Sequence, residues 1–159
     1  MYQVGAYVNY GGHGICQITE IRVMDFGSGK GSYYILSPIA QTGAVFYLPI
    51  GNEKALKHLR PVLTKEEIDR ILSNAGQEKM TWIADRKQRA ASFQQILARR
   101  DTAELLLLAG CLHSQMASHG LSFSDKEILT KIENAIEQEF SFALHISRED
   151  IGQYIQDRL

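Results

Sequence analysis

Apolar residues recur with two different periods along the chain, one in each half. In residues 1–62, short apolar runs of strand length alternate with glycine-rich turns. These patterns predict five strands, over residues 2–10, 15–26, 32–39, 44–50 and 59–62, with a short helical segment over residues 53–58. Five short strands joined by tight turns in about sixty residues are typical of a small, strongly bent antiparallel barrel.

After residue 62 the apolar residues recur at helical spacing, and four segments place a side-chain acceptor three residues before an acidic residue. That spacing is typical of a helix N-terminus, where the acceptor satisfies a free amide and the acid complements the helix dipole. The four segments begin at Thr64, Asp101, Ser124 and Ser147. The spacing of apolar residues over residues 80–99 predicts a further helix. The fold class is therefore α+β, with a barrel in residues 1–62 and a separate all-α bundle in residues 63–159.

Composition and charge change at the same boundary. Nine of the 13 glycines, six of the seven tyrosines and all three prolines precede residue 62. The formal net charge of -1 excludes a uniformly basic nucleic-acid coat. The cations are nevertheless concentrated in one segment. Residues 79–100 carry six basic side chains and one acidic side chain, whereas residues 101–159 carry four basic and ten acidic side chains.

Several classes of protein are not expected. No apolar run approaches the length of a membrane span, and the first residues lack the features of an export signal, so a cytoplasmic location is expected. Cys16 and Cys111 lie in different halves without metal-ligand spacing, and both are expected to be reduced thiols. We expect no metal, no cofactor and no small-molecule ligand.

Two weak catalytic alternatives remain in the first half. His13 and Cys16 could form a thiolate couple, but no acidic third member stands in a recognisable motif, and the glycines around His13 fit a tight turn. Residues 27–31 superficially suggest a phosphate-binding loop, but they lack the required Gly-Lys-Ser/Thr order and join two strands. The chain is therefore not expected to be an enzyme.

Trp82, the only tryptophan, precedes Arg86 by four residues, and Arg89 follows three residues later. On one helix these spacings would place the three side chains along one stripe. Arginines neutralise phosphates and a flat ring can wedge into an unstacked base step, so the stripe suggests contact with DNA. The alternative is that Trp82 packs between the two domains while the arginines are solvated.

The predicted barrel offers a second surface. Met24 and Phe26 have the parity of exposed residues, and the run around Tyr47 is apolar at both parities. A one-sheet barrel buries only one parity, so some of these side chains face solvent or a partner. The alternative is that the helical domain covers them.

In order and spacing, these segments resemble the CarD/CdnL family of bacterial transcription regulators. The first half also resembles the RNA polymerase-interacting domain of the transcription-repair coupling factor. The matching segments are residues 2–10, 12–18, 33–36, 48–50 and 59–62, then Trp82 with Asp85, Arg86 and Arg89, and residues 93–97 and 121–127. The resemblance covers nearly the whole chain.

The resemblance implies a regulator without catalysis. Its Tudor-like barrel would bind the RNA polymerase β subunit by strand-to-strand contact. Its helical domain would stabilise the open promoter complex, ribosomal RNA promoters included, by contacts without sequence specificity at the upstream edge of the bubble. There a tryptophan would wedge into the minor groove of promoter DNA, for which the domain would have weak affinity on its own. Through polymerase the protein would associate with the nucleoid. By position, the DNA-contacting residues would be Trp82, Arg86, Lys87 and Arg89, and the polymerase-contacting residues would be Arg22, Met24, Phe26 and Tyr47.

Departures from the family pattern refine these expectations. Met24 and Tyr47 stand where some relatives place arginines, so the polymerase contact is expected to be more apolar and less salt-sensitive. Trp82 lies about one helical turn farther from Ile96 than in some relatives. The alternative function is an adaptor that binds polymerase or another protein without touching DNA.

Overall fold

The computed structural model describes residues 1–27 and 29–159, and these form two compact units, Met1–Val62 and Leu63–Leu159. The first unit contains the strands β1 (Tyr7–Tyr10), β2 (Ile15–Asp25), β3 (Lys30–Pro38), β4 (Phe46–Pro49) and β5 (Leu59–Pro61), with the short helix α1 (Glu53–Leu56) before β5. The second contains the helices α2 (Lys65–Ala75), α3 (Arg86–Arg99), α4 (Thr102–Ser118), α5 (Phe123–Leu144) and α6 (Ile151–Gln156). The predicted α+β class is confirmed.

The strands form one sheet in the order β4-β3-β2-β1-β5, and every pair is antiparallel. The first strand is shorter than predicted, because a turn with Gly5 at φ 91° precedes it. Residue 28, in the turn predicted between β2 and β3, lies outside the described residues. None of the helices in the described part of the chain is long and apolar enough to cross a membrane.

A bulge divides β2 into two parts. The pairing of β2 with β3 shifts register between Ile18 and Glu20, so Thr19 is the extra residue. One extra residue in a strand changes which side of the sheet the following side chains face. Ile18 packs in the core before the bulge and Ile21 packs against the same core after it, which leaves Arg22 on the other side of the sheet.

Each unit has its own apolar core. In the first unit the core lies on one side of the sheet and consists of Val8, Cys16, Ile18, Tyr34, Leu36, Leu48 and Leu59. In the helical unit, residues from all five helices meet, among them Ile68, Leu72, Phe93, Leu108, Leu112, Ile132, Phe140 and Ile151. Each unit therefore buries apolar surface without needing the other.

The predicted helix starts are confirmed at two positions and displaced at another. Thr64 forms a complete capping box, and Asp101 accepts an amide of the first turn of α4. The cap of α5 is Ser122 rather than the predicted Ser124, because the Ser122 hydroxyl accepts the backbone N–H of Asp125 at 3.2 Å.

The prediction of a helix over residues 80–99 is wrong at its beginning. The helix α3 begins at Arg86, and its N-cap is Asp85, whose carboxylate accepts the Gln88 amide at 2.9 Å. Residues 78–84 have no regular secondary structure, and we call them the Trp82 segment. Trp82 therefore precedes the helix instead of lying on it.

The candidate thiol and imidazole serve the packing of the first unit. Cys16 is fully buried, and burial raises the pKa of its thiol to about 11. A thiol with this pKa is protonated at neutral pH and is not an activated nucleophile. The His13 ring packs against Phe46, with ring centroids 4.2 Å apart. No group of three His, Cys, Asp or Glu side chains among the described residues is arranged to hold a metal ion.

We predict that Cys16 resists alkylation in the folded protein. With a pKa of about 11, only about one thiol in 10⁴ is ionised at pH 7, and the side chain is inaccessible. In a Cys111→Ser background, iodoacetamide should modify Cys16 rapidly in denaturant and very slowly without it, as followed by mass spectrometry. Fast native modification near neutral pH would show an activated thiol and would reopen the catalytic alternative.

Candidate functional site

Aromatic side chains cluster on the side of the sheet opposite its core, which we call the outer face. The Phe26 ring meets Tyr33 and Tyr47 edge-on, with centroid distances of 5.1 and 5.8 Å. Phe26 is 57% exposed and Tyr47 is 47% exposed. Exposed aromatic rings that already pack on one another lose little freedom on binding, which suits a protein contact.

Arg22 and Met24 lie on the same face, because both follow the bulge and have the same parity. Arg22 stands directly opposite Tyr33, and its Nε donates to a carboxylate oxygen of Glu20 at 2.8 Å. The hydrogen bond from Arg22 lowers the pKa of the Glu20 carboxyl from its ordinary value. The positive charge on this face therefore has a negative partner beside it.

The structure thus places all four predicted polymerase-contacting residues at one surface. Sequence reasoning did not select Tyr33, although its position opposite Arg22 was available from the pairing of two predicted strands. The strand β4, which carries Tyr47, forms an edge of the sheet. An edge strand can pair with a strand of another chain through its backbone groups.

In the helical unit, Trp82 is partly buried and packs against the core. Its ring meets Phe93 edge-on, with centroids 6.3 Å apart. The prediction of one exposed helical stripe of Trp82, Arg86 and Arg89 is wrong, because Trp82 lies before α3 and Arg89 is only 8% exposed.

The guanidinium of Arg89 is surrounded by partners within the helical unit. Its Nη1 donates to the carbonyl oxygens of Ile83 at 3.1 Å and Ala84 at 3.2 Å. Its Nη2 lies 3.4 Å from a carboxylate oxygen of Asp125 on α5, and its Cζ lies 4.6 Å from the centre of the Trp82 ring. The expectation of a solvated arginine at this position is also wrong.

Other cations of the helical unit are solvated. Arg86 and Lys87, at the start of α3, are exposed. Arg86 borders an open groove of about 500 Å³ between α3 and α5, and Lys131 borders the same groove. Among the described residues, these three side chains form no ion pair. They are therefore available to bind an anionic partner.

Two residues near this groove were not selected from the sequence. Lys131 was overlooked because it lies in the acidic third of the chain, and only the packing of α5 beside α3 brings it near Arg86. Phe123, the first residue of α5, is 77% exposed and follows Ser122, which lines the groove. The sequence shows a phenylalanine directly after Ser122, but it does not show that the ring is exposed.

Comparison with known proteins assigns only the first unit. Residues 2–63 match the family model of the CarD-like/TRCF RID domain. No curated protein matches the chain. The match spans the five-stranded sheet and ends where the helical unit begins, so the narrower CdnL assignment stays a prediction. The match supports the CarD-like/TRCF RID family for the first unit of this chain.

Proposed function

We propose that the chain is a non-catalytic bacterial transcription regulator that binds the RNA polymerase β subunit and stabilises the open promoter complex. The observation that carries this proposal is the family match of residues 2–63, because a RID domain implies interaction with the RNA polymerase β subunit. The first unit then anchors the protein to polymerase, and the helical unit contacts promoter DNA at the upstream edge of the bubble.

The polymerase contact combines backbone pairing with aromatic packing. The edge strand β4 pairs with a strand of the β subunit, while Phe26, Tyr33 and Tyr47 pack beside the new strand. Aromatic residues in a desolvated patch dominate the binding energy of many interfaces. Since Glu20 pairs with Arg22, the contact has little net charge and its affinity depends weakly on salt.

The DNA contact is electrostatic with an aromatic component. Arg86 and Lys87 bind phosphates from the start of α3, and Lys131 adds a third cation across the groove. The exposed part of the Trp82 ring packs against the distorted junction. Three exposed cations on a chain of net charge -1 give weak affinity for free DNA, and tethering through polymerase raises the effective DNA concentration. Preference for the junction over closed duplex shifts the promoter toward the open state.

The adaptor function is the second candidate, and the environment of Trp82 favours it. Trp82 packs on the core and Arg89 is neutralised by Asp125, so both could serve the fold of a helical unit that binds another protein. A photocrosslinker at Lys87 in assembled promoter complexes separates the two functions. Crosslinks to upstream promoter DNA support the regulator, whereas crosslinks to protein alone support the adaptor.

We predict that the double variant Phe26→Ala/Tyr47→Ala binds core polymerase much more weakly than the parent chain. Loss of interface aromatic residues costs about 2 kcal/mol or more, which is roughly a thirtyfold rise in Kd. The matched control is Val23→Ser, because Val23 is 64% exposed but lies on the opposite side of β2. Biolayer interferometry over a series of salt concentrations gives both Kd and its salt dependence. Equal Kd values for double variant and control would rule out the outer face as the contact.

We predict that Trp82→Ala leaves polymerase binding unchanged and shortens the lifetime of open complexes roughly tenfold, because stacking of one aromatic side chain on a base contributes about 1–3 kcal/mol. Lifetimes are measured by challenging preformed complexes with a competitor. Trp82→Phe keeps an aromatic ring in the packing and should shorten the open-complex lifetime less than Trp82→Ala does. A normal lifetime for Trp82→Ala, with a native helical circular dichroism spectrum, would remove Trp82 from the DNA contact.

A further inference from the structure

The Trp82 segment connects α2 to α3 without helix or strand hydrogen bonds of its own. Backbone carbonyls that are shielded from water need partners, and an irregular segment keeps one shape only when other groups supply them. Arg89 supplies such partners, since one of its nitrogens donates to the carbonyl oxygens of both Ile83 and Ala84.

We propose that Arg89 is a positioning residue, which fixes the Trp82 segment so that the indole and the start of α3 reach DNA together. The effect of this positioning on DNA binding rests on the proposed function, whereas the positioning of the Trp82 segment by Arg89 is a property of the free protein. Arg89 acts through Trp82 rather than by touching phosphate, because its donors point to partners inside the unit.

The indole is held from two directions. The guanidinium carbon of Arg89 lies 4.6 Å from the centre of the Trp82 ring, within the range of a cation–π contact. The Phe93 ring contacts it edge-on from the core. A planar guanidinium can stack on a ring while its edge donates hydrogen bonds, and a lysine ammonium lacks both the plane and the fork of donors.

Arg89 is itself anchored to α5. The side chains of Arg89 and Asp125 are only 10% and 9% exposed, and their charged groups lie 3.4 Å apart. Asp125 is fixed in turn by the Ser122 hydroxyl, which donates to its carboxylate at 2.8 Å. A connected series of polar contacts thus runs from the cap of α5 through Arg89 to the Trp82 segment.

The test is Arg89→Lys in the full-length protein, which keeps the charge beside Asp125 but removes the paired bonds and the stacking. The chain has one tryptophan, so its fluorescence reports this segment alone. Since even one lost hydrogen bond from a charged donor changes an equilibrium about tenfold, Arg89→Lys should lower the ratio of docked to undocked Trp82 at least tenfold. Acrylamide quenching should rise and the emission maximum should shift to the red, with little change in helical circular dichroism.

The matched control is Arg99→Lys, which makes the same chemical change on the same helix, where the guanidinium of Arg99 bonds to the partly exposed Glu104. Its Trp82 quenching should equal that of the parent chain. If Arg89→Lys does not fold, Asp125→Asn removes the anchoring charge while its amide oxygen can still accept from Ser122. That variant should raise the quenching in the same direction.

Open-complex lifetimes of the same variants separate the two levels of the proposal. Increased quenching with a shortened lifetime supports both positioning and the DNA function. Increased quenching with a normal lifetime supports positioning and overturns the role of Trp82 at DNA. Unchanged quenching overturns positioning, and if the lifetime still falls, Arg89 acts on DNA directly.

Discussion

The buried ion pair between Arg89 on α3 and Asp125 on α5 is the interaction on which the helical unit's candidate site depends. Removing one partner of such a pair costs about 3–5 kcal/mol, because the other charge is left without compensation in a desolvated position. The pair therefore links the first turn of α3 to the first turn of α5. Because Arg89 is paired with Asp125 inside the unit, it is not available to bind an anionic partner. Arg86 and Lys131 remain solvated at the groove that both of them line.

The candidate binding surfaces of the two units differ in their chemistry. The outer face of the sheet offers aromatic side chains and an edge strand, and Arg22 on this face is paired with Glu20. The helical unit offers solvated cations on a background of acidic helices. Apolar contacts persist at physiological salt, whereas a few exposed cations bind weakly there. This division suits a protein that is held firmly by one partner and touches another only when brought close to it.

The sequence was sufficient for most of the strands and helices and for the exposure of Phe26, because apolar periodicity and caps are local signals. It was insufficient for Trp82 and Arg89. The helix α3 begins after its N-cap Asp85. The prediction began this helix at residue 80 and therefore placed Trp82 on the same helical face as Arg86 and Arg89. The burial of Arg89 depends on Asp125, which lies 36 residues away in the chain, and no local pattern reports such a pairing. Lys131 joins the groove for the same reason, through neighbours distant in sequence.

Thr19, the extra residue of the β2 bulge, determines the chemical character of both sides of the sheet beyond it. If the bulge were straightened with Thr19 kept in the strand, strict alternation would continue from Ile18, and Arg22 and Met24 would turn inward while Ile21 turned out. The long hairpin would then put a charge into the apolar interior and expose an isoleucine. The apolar pattern of this hairpin thus fits the sheet only while the bulge is present, and loss of the bulge would exchange inside and outside at once.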